Sequence, residues 1–300
     1  MDASRRRTLG ALAGLALMRK ARAAQAMHAR AIPGSGERLP VIGIGTWQTF
    51  DVGGDAAARA ALQEVLRAFF AGGGRVVDSS PMYGSSESVV GGLCQALGIC
   101  EPLFMASKIY TRGREEGSRG MQRSIERMRA GSMDLMQVHN LLDIETHTPT
   151  LREWKAAKRV RYIGITHYTS SAYAEVEHWL KTKQFDFLQI NYSLGESEAG
   201  KRLLPLAKEV GAAVIANRPF AEGAMFGRVR GKPLPPWAAE LGIASWAQYF
   251  LKWIVSHPAV TCAIPGTGKP EHMVDNLKAG FGPLPGTAQR RAMSQYYDAL

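Results

Sequence analysis

Four side chains that can share acid–base work follow short apolar runs in the first half of the chain. Asp78 and Lys108 end two such runs, His139 ends a third, and Tyr83 stands five residues after Asp78. A phenol titrates near 10, so it donates protons efficiently at pH 7 only when a cation lowers its pKa. Lys108 would supply that cation and Asp78 would hold the lysine. His139 would orient a carbonyl oxygen or relay the proton.

Each of these residues could also have a purely structural role. Asp78 suits the cap of the turn that follows it, Tyr83 suits packing in a loop, and His139 suits a hydrogen bond in the core. Lys108 suits a salt bridge at a rim, because an unpaired ammonium beside an apolar run is costly. The combination of four such residues at consecutive predicted strand ends favours catalysis.

The elements that position these side chains alternate along the chain of 300 residues. We predict eight pairs of a short strand and a longer helix, which is typical of a parallel sheet. The predicted strands are 41–45, 75–78, 103–108, 135–139, 162–166, 187–191, 213–216 and 261–264. The predicted helices are 56–70, 86–97, 120–130, 150–158, 171–181, 201–210, 245–256 and 270–279. Eight pairs without a break in composition favour a single α/β domain, a (β/α)8 TIM barrel, over a two-domain doubly wound sheet.

Two further segments fit that barrel. Residues 27–32 and 38–42 flank a Pro-Gly-Ser-Gly spacer, which predicts a hairpin that closes the barrel bottom. Residues 224–237 are rich in glycine and proline and predict an irregular loop after the seventh strand. Loops that follow the strands build the active-site face of such a barrel, so polar residues at strand ends are candidate site residues.

These motifs together resemble those of the aldo/keto reductase family over residues 39–277. Residues 39–47 (LPVIGIGTW) are similar to the family's opening strand, and residues 78–84 (Asp-Ser-Ser-Pro-Met-Tyr-Gly) match its Asp-x-x-x-x-Tyr-Gly element. Ser107-Lys108 and residues 137–140 (QVHN) match its lysine and histidine elements. The resemblance implies an NAD(P)H-dependent oxidoreductase that reduces an aldehyde or ketone to an alcohol by hydride transfer.

The resemblance also implies roles for individual residues. Asp78, Tyr83, Lys108 and His139 would form the catalytic tetrad, with Tyr83 as general acid. The implied substrate-binding residues are Trp47, Tyr83, Tyr110 and His139, although Trp47 at the end of a strand also suits simple packing at the rim.

The implied nicotinamide site uses strand ends rather than a Gly-x-Gly-x-x-Gly loop, which does not follow any predicted strand. Thr166 and His167 stand where the family has a Ser-Asn pair, and Gln189 matches the glutamine that completes this contact. The segment Asn217, Arg218, Pro219 and Phe220 aligns with the family's Tyr-Ser-Pro-Leu. Asn217 thus replaces the tyrosine that stacks on the nicotinamide, which leaves Arg218 to reach the pyrophosphate or to lie on a ring face. Thr46 and Asp78 complete this implied set.

The implied adenosine-phosphate site is near the C-terminus and consists of Pro265, Gly266, Thr267, His272 and Asn276. The family's usual lysine falls on Gly266 and its usual arginine on His272. Thr267, Lys269 and the first amides of the last predicted helix remain to bind the phosphate. We expect NADPH, with NADH as the alternative cofactor. The glycine-rich stretch is also compatible with an ordinary turn between strand and helix.

The residues fit other functions less well than carbonyl reduction. The departures at residues 217, 266 and 272 leave room for a cofactor-binding regulatory or accessory protein of the same fold with little turnover. A metal-dependent hydrolase would need a His-x-His element or several carboxylates at the strand ends, and the chain has neither, so we predict no metal site. No motif for nucleic-acid binding is present.

The first 26 residues have a composition of their own. The chain carries a net charge of +11, and six cations against one anion in residues 1–26 account for +5 of it. Arg5-Arg6-Arg7 before the apolar run 9–18 resembles a twin-arginine export leader, although cations also follow that run. We therefore predict a leader over 1–26, a barrel domain over 27–300, contact with the export machinery and a periplasmic location. The alternative is a basic amphipathic tail on a cytoplasmic protein. The apolar run is too short for stable membrane insertion, which takes about 20 residues.

The three cysteines, Cys94, Cys100 and Cys262, show no metal-ligand spacing. Their odd number argues against a disulfide framework, so we predict buried thiols.

Overall fold

A computed structural model describes residues 26–300 of the chain. The predicted leader therefore lies outside the described residues, apart from its last position. Within the described part, no helix is both long and apolar enough to cross a membrane.

Eight parallel strands form one sheet in which each strand pairs with its neighbours along the chain. Two short strands of a hairpin, β1 and β2, precede them. The strands are β1 (Ala29–Ala31), β2 (Arg38–Pro40), β3 (Ile44–Gly45), β4 (Val76–Asp78), β5 (Phe104–Ile109), β6 (Met133–His139), β7 (Val160–Thr166), β8 (Phe187–Asn191), β9 (Ala213–Asn217) and β10 (Cys262–Ala263).

The first and last strands of the sheet meet and nearly close the barrel. An isolated parallel bridge joins Ile42 to Ala263. The amide of Gly43 donates to the Ala263 carbonyl at 2.8 Å, and the amide of Ala263 donates to the Val41 carbonyl at 2.9 Å. A Cβ at Gly43 would lie 2.8 Å from the Val76 carbonyl oxygen, so this close approach requires glycine. The predicted single-domain (β/α)8 barrel is confirmed.

Helices cover the outside of the barrel between these strands. They are α1 (Ala56–Ala71), α2 (Ser86–Leu97), α3 (Arg114–Met128), α4 (Ile144–Ala156), α5 (Tyr173–Lys181), α6 (Leu203–Val210), α7 (Ala224–Arg228), α8 (Trp246–Val255), α9 (Pro270–Lys278) and α10 (Thr287–Asp298). The predicted irregular loop 224–237 thus begins with a short helix, and α10 was not predicted.

Two helices begin about six residues before their predicted starts, and Pro149 explains one of them. A proline usually marks a boundary, but here it lies inside α4. The hydroxyls of Thr148 and Thr150 donate to the carbonyls of Ile144 and Thr146 at 2.7 and 3.3 Å. Pro149 removes only the backbone donor to the Glu145 carbonyl, and the helix continues through the proline with these additional bonds to the carbonyls on either side.

The hairpin packs against the bottom of the barrel, as predicted. Its strands pair antiparallel, with Ala29 opposite Pro40. Ile32 and Leu39 of the hairpin are buried in one cluster with Phe104 and Phe187, which begin two of the barrel strands. The N-terminal ends of the strands are therefore sealed by apolar side chains, and the opposite ends remain for a site.

Two of the three cysteines form a disulfide, so the prediction of buried thiols is wrong for them. Cys94 lies in α2, and Gly98 ends that helix with a left-handed φ of 67°. The turn brings Cys100 back to Cys94, with 4.9 Å between their Cα atoms. Cys262 is a free, buried thiol.

We expect this disulfide to stabilise the fold by closing a loop in the unfolded chain and so reducing the conformational entropy of that chain. Reduction should lower the free energy of unfolding by about 2 kcal/mol, measured by urea denaturation with and without reductant. The double variant Cys94→Ala/Cys100→Ala serves as the control and should not respond to reductant. Three titratable thiols in the unreduced, unfolded protein would contradict the pairing.

Candidate active site

A buried ion pair lies at the open end of the barrel. Asp78 is the last residue of β4, and Lys108 is the penultimate residue of β5. The Lys108 Nζ donates to Asp78 Oδ2 at 2.6 Å and to the Ser79 carbonyl at 2.7 Å. The Lys108 side chain is 1% exposed and that of Asp78 is 4% exposed. Both charges therefore depend on each other for the stabilisation that water would give elsewhere.

Two glutamines complete the surroundings of Asp78. The Gln189 Nε2 donates to Asp78 Oδ1 at 2.8 Å, and the Gln137 Nε2 lies 3.3 Å from the same oxygen. The Gln189 Oε1 in turn accepts from the Thr166 hydroxyl at 2.9 Å. Gln137 belongs to the QVHN motif but was not a predicted site residue, although its amide inside a predicted strand of a parallel sheet already indicated a polar partner.

The loop that carries Tyr83 is fixed by its neighbours. The amide of Tyr83 donates to the Ser80 carbonyl at 3.0 Å, which closes a turn. Gly84 has a φ of 57°, and a Cβ there would lie 2.2 Å from Asp51 Oδ2. Asp51 also accepts from the amide and the hydroxyl of Ser85 at 2.8 Å. The glycine after the tyrosine is thus required by the turn that presents the phenol to the barrel mouth.

Tyr83 lies against the lysine. The Lys108 Nζ is 4.9 Å from the centroid of the Tyr83 ring. Burial raises the pKa of Tyr83, Lys108 lowers it and Asp78 raises it, with a raised pKa as the result. Lys108 thus lowers the pKa of the phenol as expected, but burial outweighs the cation and the pKa stays above its ordinary value.

Lys108 stays charged despite its burial. Burial lowers the pKa of Lys108, but the charge of Asp78 and the contact with Tyr83 raise it more, so its pKa lies above the ordinary value. At neutral pH the site therefore holds an ammonium beside a protonated phenol.

His139 ends β6 and faces the two tyrosines of the site. Its ring centroid lies 5.9 Å from that of Tyr83 and 5.1 Å from that of Tyr110. Burial, the charge of Lys108 and the charge of His167 lower the pKa of His139 to about 2. The imidazole is therefore neutral at physiological pH and suited to donate or accept a hydrogen bond rather than to carry charge.

A cavity of about 610 Å³ opens above these residues. All four predicted substrate-binding residues line it. Part of the predicted cofactor-binding set also lines it, namely Thr46, Asp78, Thr166, Gln189, Asn217, Arg218, Pro219, Phe220 and Gly266. His167, Pro265, Thr267, His272 and Asn276 lie outside its lining. The predicted nicotinamide end thus coincides with the cavity, and the predicted adenosine end lies beyond it.

Large apolar side chains gather at the mouth of this cavity. Trp47 is 44% exposed and Tyr110 is 43% exposed, and three further exposed side chains line the same mouth, namely Met82, Tyr168 and Phe226. Phe226 belongs to the segment 224–237 that was predicted to lie at the active-site face, whereas Met82 and Tyr168 were not among the predicted site residues. Their exposure on loops, which sequence patterns do not reveal, is what identifies them.

Asn217 and Arg218 occupy the wall where the aligned tyrosine is absent. The Asn217 Nδ2 donates to the His167 carbonyl at 3.1 Å, while its Oδ1 is buried without a partner in the described residues. The Arg218 guanidinium donates to Glu196 at 2.9 and 3.2 Å and is also paired with Glu222. It lies 5.8 Å from the centroid of the Tyr168 ring. A pyrophosphate would therefore compete with two carboxylates for this arginine.

The predicted adenosine end lies around the start of α9. The Thr267 hydroxyl accepts from the amide of Lys269 at 3.1 Å, which closes a turn directly before the helix. His272 is exposed and Asn276 is buried. A Cβ at Gly266 would lie 3.0 Å from the Gly45 carbonyl oxygen, which makes a larger residue at this position tight.

The donor set does not suggest a metal centre. Among the described residues, no group of three or more His, Cys, Asp or Glu side chains is placed to hold a metal ion. The orphaned Asn217 Oδ1 is instead an acceptor that the amide group of a nicotinamide would satisfy. The residues at the cavity wall therefore fit the nicotinamide end of a dinucleotide.

Known proteins resemble this chain over nearly its whole described length. The methylglyoxal reductase YeaE of Escherichia coli (strain K12) is 29% identical over 262 residues, which are 83% of this chain and 89% of that protein. The solved structure of an aldo/keto reductase from Klebsiella pneumoniae in complex with NADP and acetate superposes with a TM-score of 0.74 at 24% identity. It covers 89% of this chain and 94% of that one.

A glycerol dehydrogenase from Gluconobacter oxydans superposes with a TM-score of 0.73 at 20% identity and covers 89% of this chain and 94% of its own. At such identities the two solved structures establish the fold alone. The model of the aldo/keto reductase family matches residues 41–287, which hold all eight barrel strands and the four residues of the predicted tetrad. The chain therefore belongs to the aldo/keto reductase family.

Proposed function

We propose that the protein is an NAD(P)H-dependent oxidoreductase that reduces an aldehyde or a ketone to an alcohol. The observation that carries this proposal is the buried Lys108–Asp78 pair, with a protonated Tyr83 and a neutral His139 beside it at one cavity. A carbonyl bound beside Tyr83 and His139 meets two neutral groups that can donate hydrogen bonds, which suits an oxygen that gains negative charge.

Tyr83 is the proton donor in this mechanism. Its raised pKa keeps the phenol protonated until the carbonyl oxygen becomes basic enough to take the proton. The ammonium of Lys108 then stabilises the phenolate that remains, and Asp78 keeps that ammonium in place. General acid catalysis of this kind contributes about 100- to 10,000-fold to the rate.

His139 shares the carbonyl oxygen with Tyr83. Both side chains line the cavity, and their rings lie edge to face with centroids 5.9 Å apart, so one carbonyl oxygen could contact both. Because the imidazole is neutral, it binds the oxygen as a dipole and does not compete with Tyr83 as an acid.

The reduced dinucleotide supplies the hydride when it is bound. Thr166, Gln189 and Asn217 would hold its carboxamide, and the orphaned Asn217 Oδ1 would accept from the amide nitrogen. Trp47 and Tyr110 would border the substrate. The residues around the start of α9, Thr267 among them, would hold the adenosine phosphate. Relatives solved with NADP or NADPH favour NADPH as the cofactor, with NADH as the alternative.

Replacing Tyr83 tests the acid. Tyr83→Phe should lower kcat for NADPH-dependent carbonyl reduction by at least about 100-fold, because the donor is lost while the ring remains. The rate of NADPH oxidation with a panel of aldehydes and ketones measures it. Tyr173→Phe is the matched control: its hydroxyl donates to Asn191 at 3.0 Å outside the cavity lining, and its loss should leave the rate unchanged.

Full activity in Tyr83→Phe would overturn the role of this residue. Nucleotide that stays tightly bound to the wild-type protein without turnover on any carbonyl would instead favour the regulatory or accessory protein. The observation that favours this second candidate is the pairing of Arg218 with Glu196 and Glu222, since it departs from the cofactor site that the family resemblance implies.

Replacing His272 tests the phosphate site. His272→Arg restores the cation that the family usually has there and should improve the kcat/KM ratio of NADPH over NADH about tenfold, since a charge-assisted bond to the 2′-phosphate is gained. Val274→Arg adds the same charge to an exposed position of α9 and should leave the ratio near its wild-type value. An equal response of both variants would mean that the phosphate lies elsewhere.

We also propose that residues 1–26 are a twin-arginine leader and that residues 27–300 form the exported domain. The Cys94–Cys100 disulfide supports this proposal independently, because disulfides persist in oxidising compartments such as the periplasm. The twin-arginine route carries folded proteins, so a dinucleotide bound in the cytoplasm could travel with the barrel.

Mass spectrometry of the protein from each compartment tests the leader. We expect periplasmic protein with an N-terminus near residue 27, an intact disulfide and co-purifying nucleotide. Replacing Arg5, Arg6 and Arg7 by lysine should retain the full-length chain in the cytoplasm. Wild-type protein found only in the cytoplasm with its first residues present would exclude export.

A further inference from the structure

Ser80 is a buried serine that the mechanism above does not use. It lies two residues after the end of β4, between Asp78 and Tyr83, and has no exposed surface. Its Oγ lies 3.1 Å from the Nδ1 of His139, 59 positions along the chain. The amide of Met82 donates to the same Oγ at 3.4 Å.

The hydrogen bonds of this hydroxyl determine its direction. A serine hydroxyl has one hydrogen to donate and two lone pairs to accept with. The Met82 amide uses one lone pair, and within the described residues His139 Nδ1 is the acceptor within reach of the hydroxyl hydrogen. A buried hydroxyl hydrogen without an acceptor is costly, so Ser80 donates and Nδ1 accepts.

This direction decides where the imidazole carries its proton. The ring of His139 is neutral, so one nitrogen is protonated and the other is not. If Nδ1 accepts from Ser80, the proton is on Nε2. The Nε2 makes no hydrogen bond to the described residues and is not among their buried unpartnered atoms, and His139 lines the cavity. Its N–H is therefore open to the cavity.

The opposite tautomer would not serve a carbonyl. An unprotonated Nε2 would present a lone pair to the substrate oxygen, and two acceptors facing each other repel. Tyr83 would then be the sole donor of the pair proposed for that oxygen. With the proton on Nε2, His139 and Tyr83 can both donate to the carbonyl oxygen. With the proton on Nδ1, only Tyr83 can.

We propose that Ser80 is a positioning residue that holds His139 as the Nε2–H tautomer and so presents a second hydrogen-bond donor to the substrate's carbonyl oxygen. The benefit to catalysis rests on the proposed carbonyl reduction, whereas the tautomer itself does not. The backbone carbonyl of Ser80 accepts from the Tyr83 amide, so Ser80→Ala removes the hydroxyl and keeps the turn.

Nitrogen NMR of the full chain with labelled histidine tests the tautomer directly. We expect His139 of the wild-type protein to show a protonated Nε2 and an unprotonated, hydrogen-bonded Nδ1. In Ser80→Ala the Nδ1 resonance should move toward that of a nitrogen without a hydrogen bond. Ser79→Ala is the matched control, since this equally buried neighbour bonds to Thr46 instead and should leave the His139 resonances in place.

A proton on Nδ1 in the wild-type protein would overturn the proposal, and so would an unchanged Nδ1 resonance in Ser80→Ala. This measurement needs no turnover, so it decides the proposal even if the protein proves not to reduce carbonyls.

Kinetics test the consequence for the reaction. Ser80→Ala should lower kcat about tenfold with little change in KM, as expected for the loss of one hydrogen bond that acts in the transition state. In a His139→Ala background the same substitution should cost nothing further, because Ser80 acts through that ring. Ser80→Thr, which keeps the hydroxyl, should recover most of the rate. An equal loss in both backgrounds would mean that Ser80 has only a structural role.

Discussion

The rest of the site depends on the buried ion pair of Lys108 and Asp78. Two charges this deep lose the hydration that stabilises them in water, and their mutual attraction compensates only when their remaining polar atoms are also bonded. Gln189, Gln137 and the carbonyl of Ser79 supply those bonds. The amides that surround the carboxylate therefore help to keep the ammonium beside the Tyr83 ring, where the proposed mechanism needs it.

The barrel stabilises this pair by fixing where its partners stand. Parallel register places Asp78 beside Ala106 and Lys108 beside Gln137, so the polar groups of neighbouring strands reach one level of the barrel. The hairpin seals the other end with apolar side chains, and the last strand bridges back to the first. A one-residue slip between β4 and β5 would turn Lys108 away from Asp78 and leave both charges unpaired.

Charged side chains near the cavity mouth pair with one another, separately from the Lys108–Asp78 pair. Arg218 is held by Glu196 and Glu222, which gives this wall carboxylates where an anionic dinucleotide would pass. Arg218 and Glu222 themselves adopt left-handed backbone conformations, which cost energy in residues other than glycine. The wall near Asn217 is thus a departure from the implied cofactor site.

The sequence by itself determined the alternation of strands and helices and the hairpin, and it singled out the four residues of the proposed tetrad, because periodicity and strand-end position are local properties of a chain. Tertiary structure alone decided which side chains form hydrogen bonds or a disulfide with each other. The Gln189 amide meets Asp78 across 111 positions, and Cys100 returns to Cys94 only through the turn at Gly98. The raised pKa of Tyr83 and the bond from Ser80 to His139 likewise depend on burial and on contacts between strands. Such distances follow from how the barrel closes, and no local pattern encodes them.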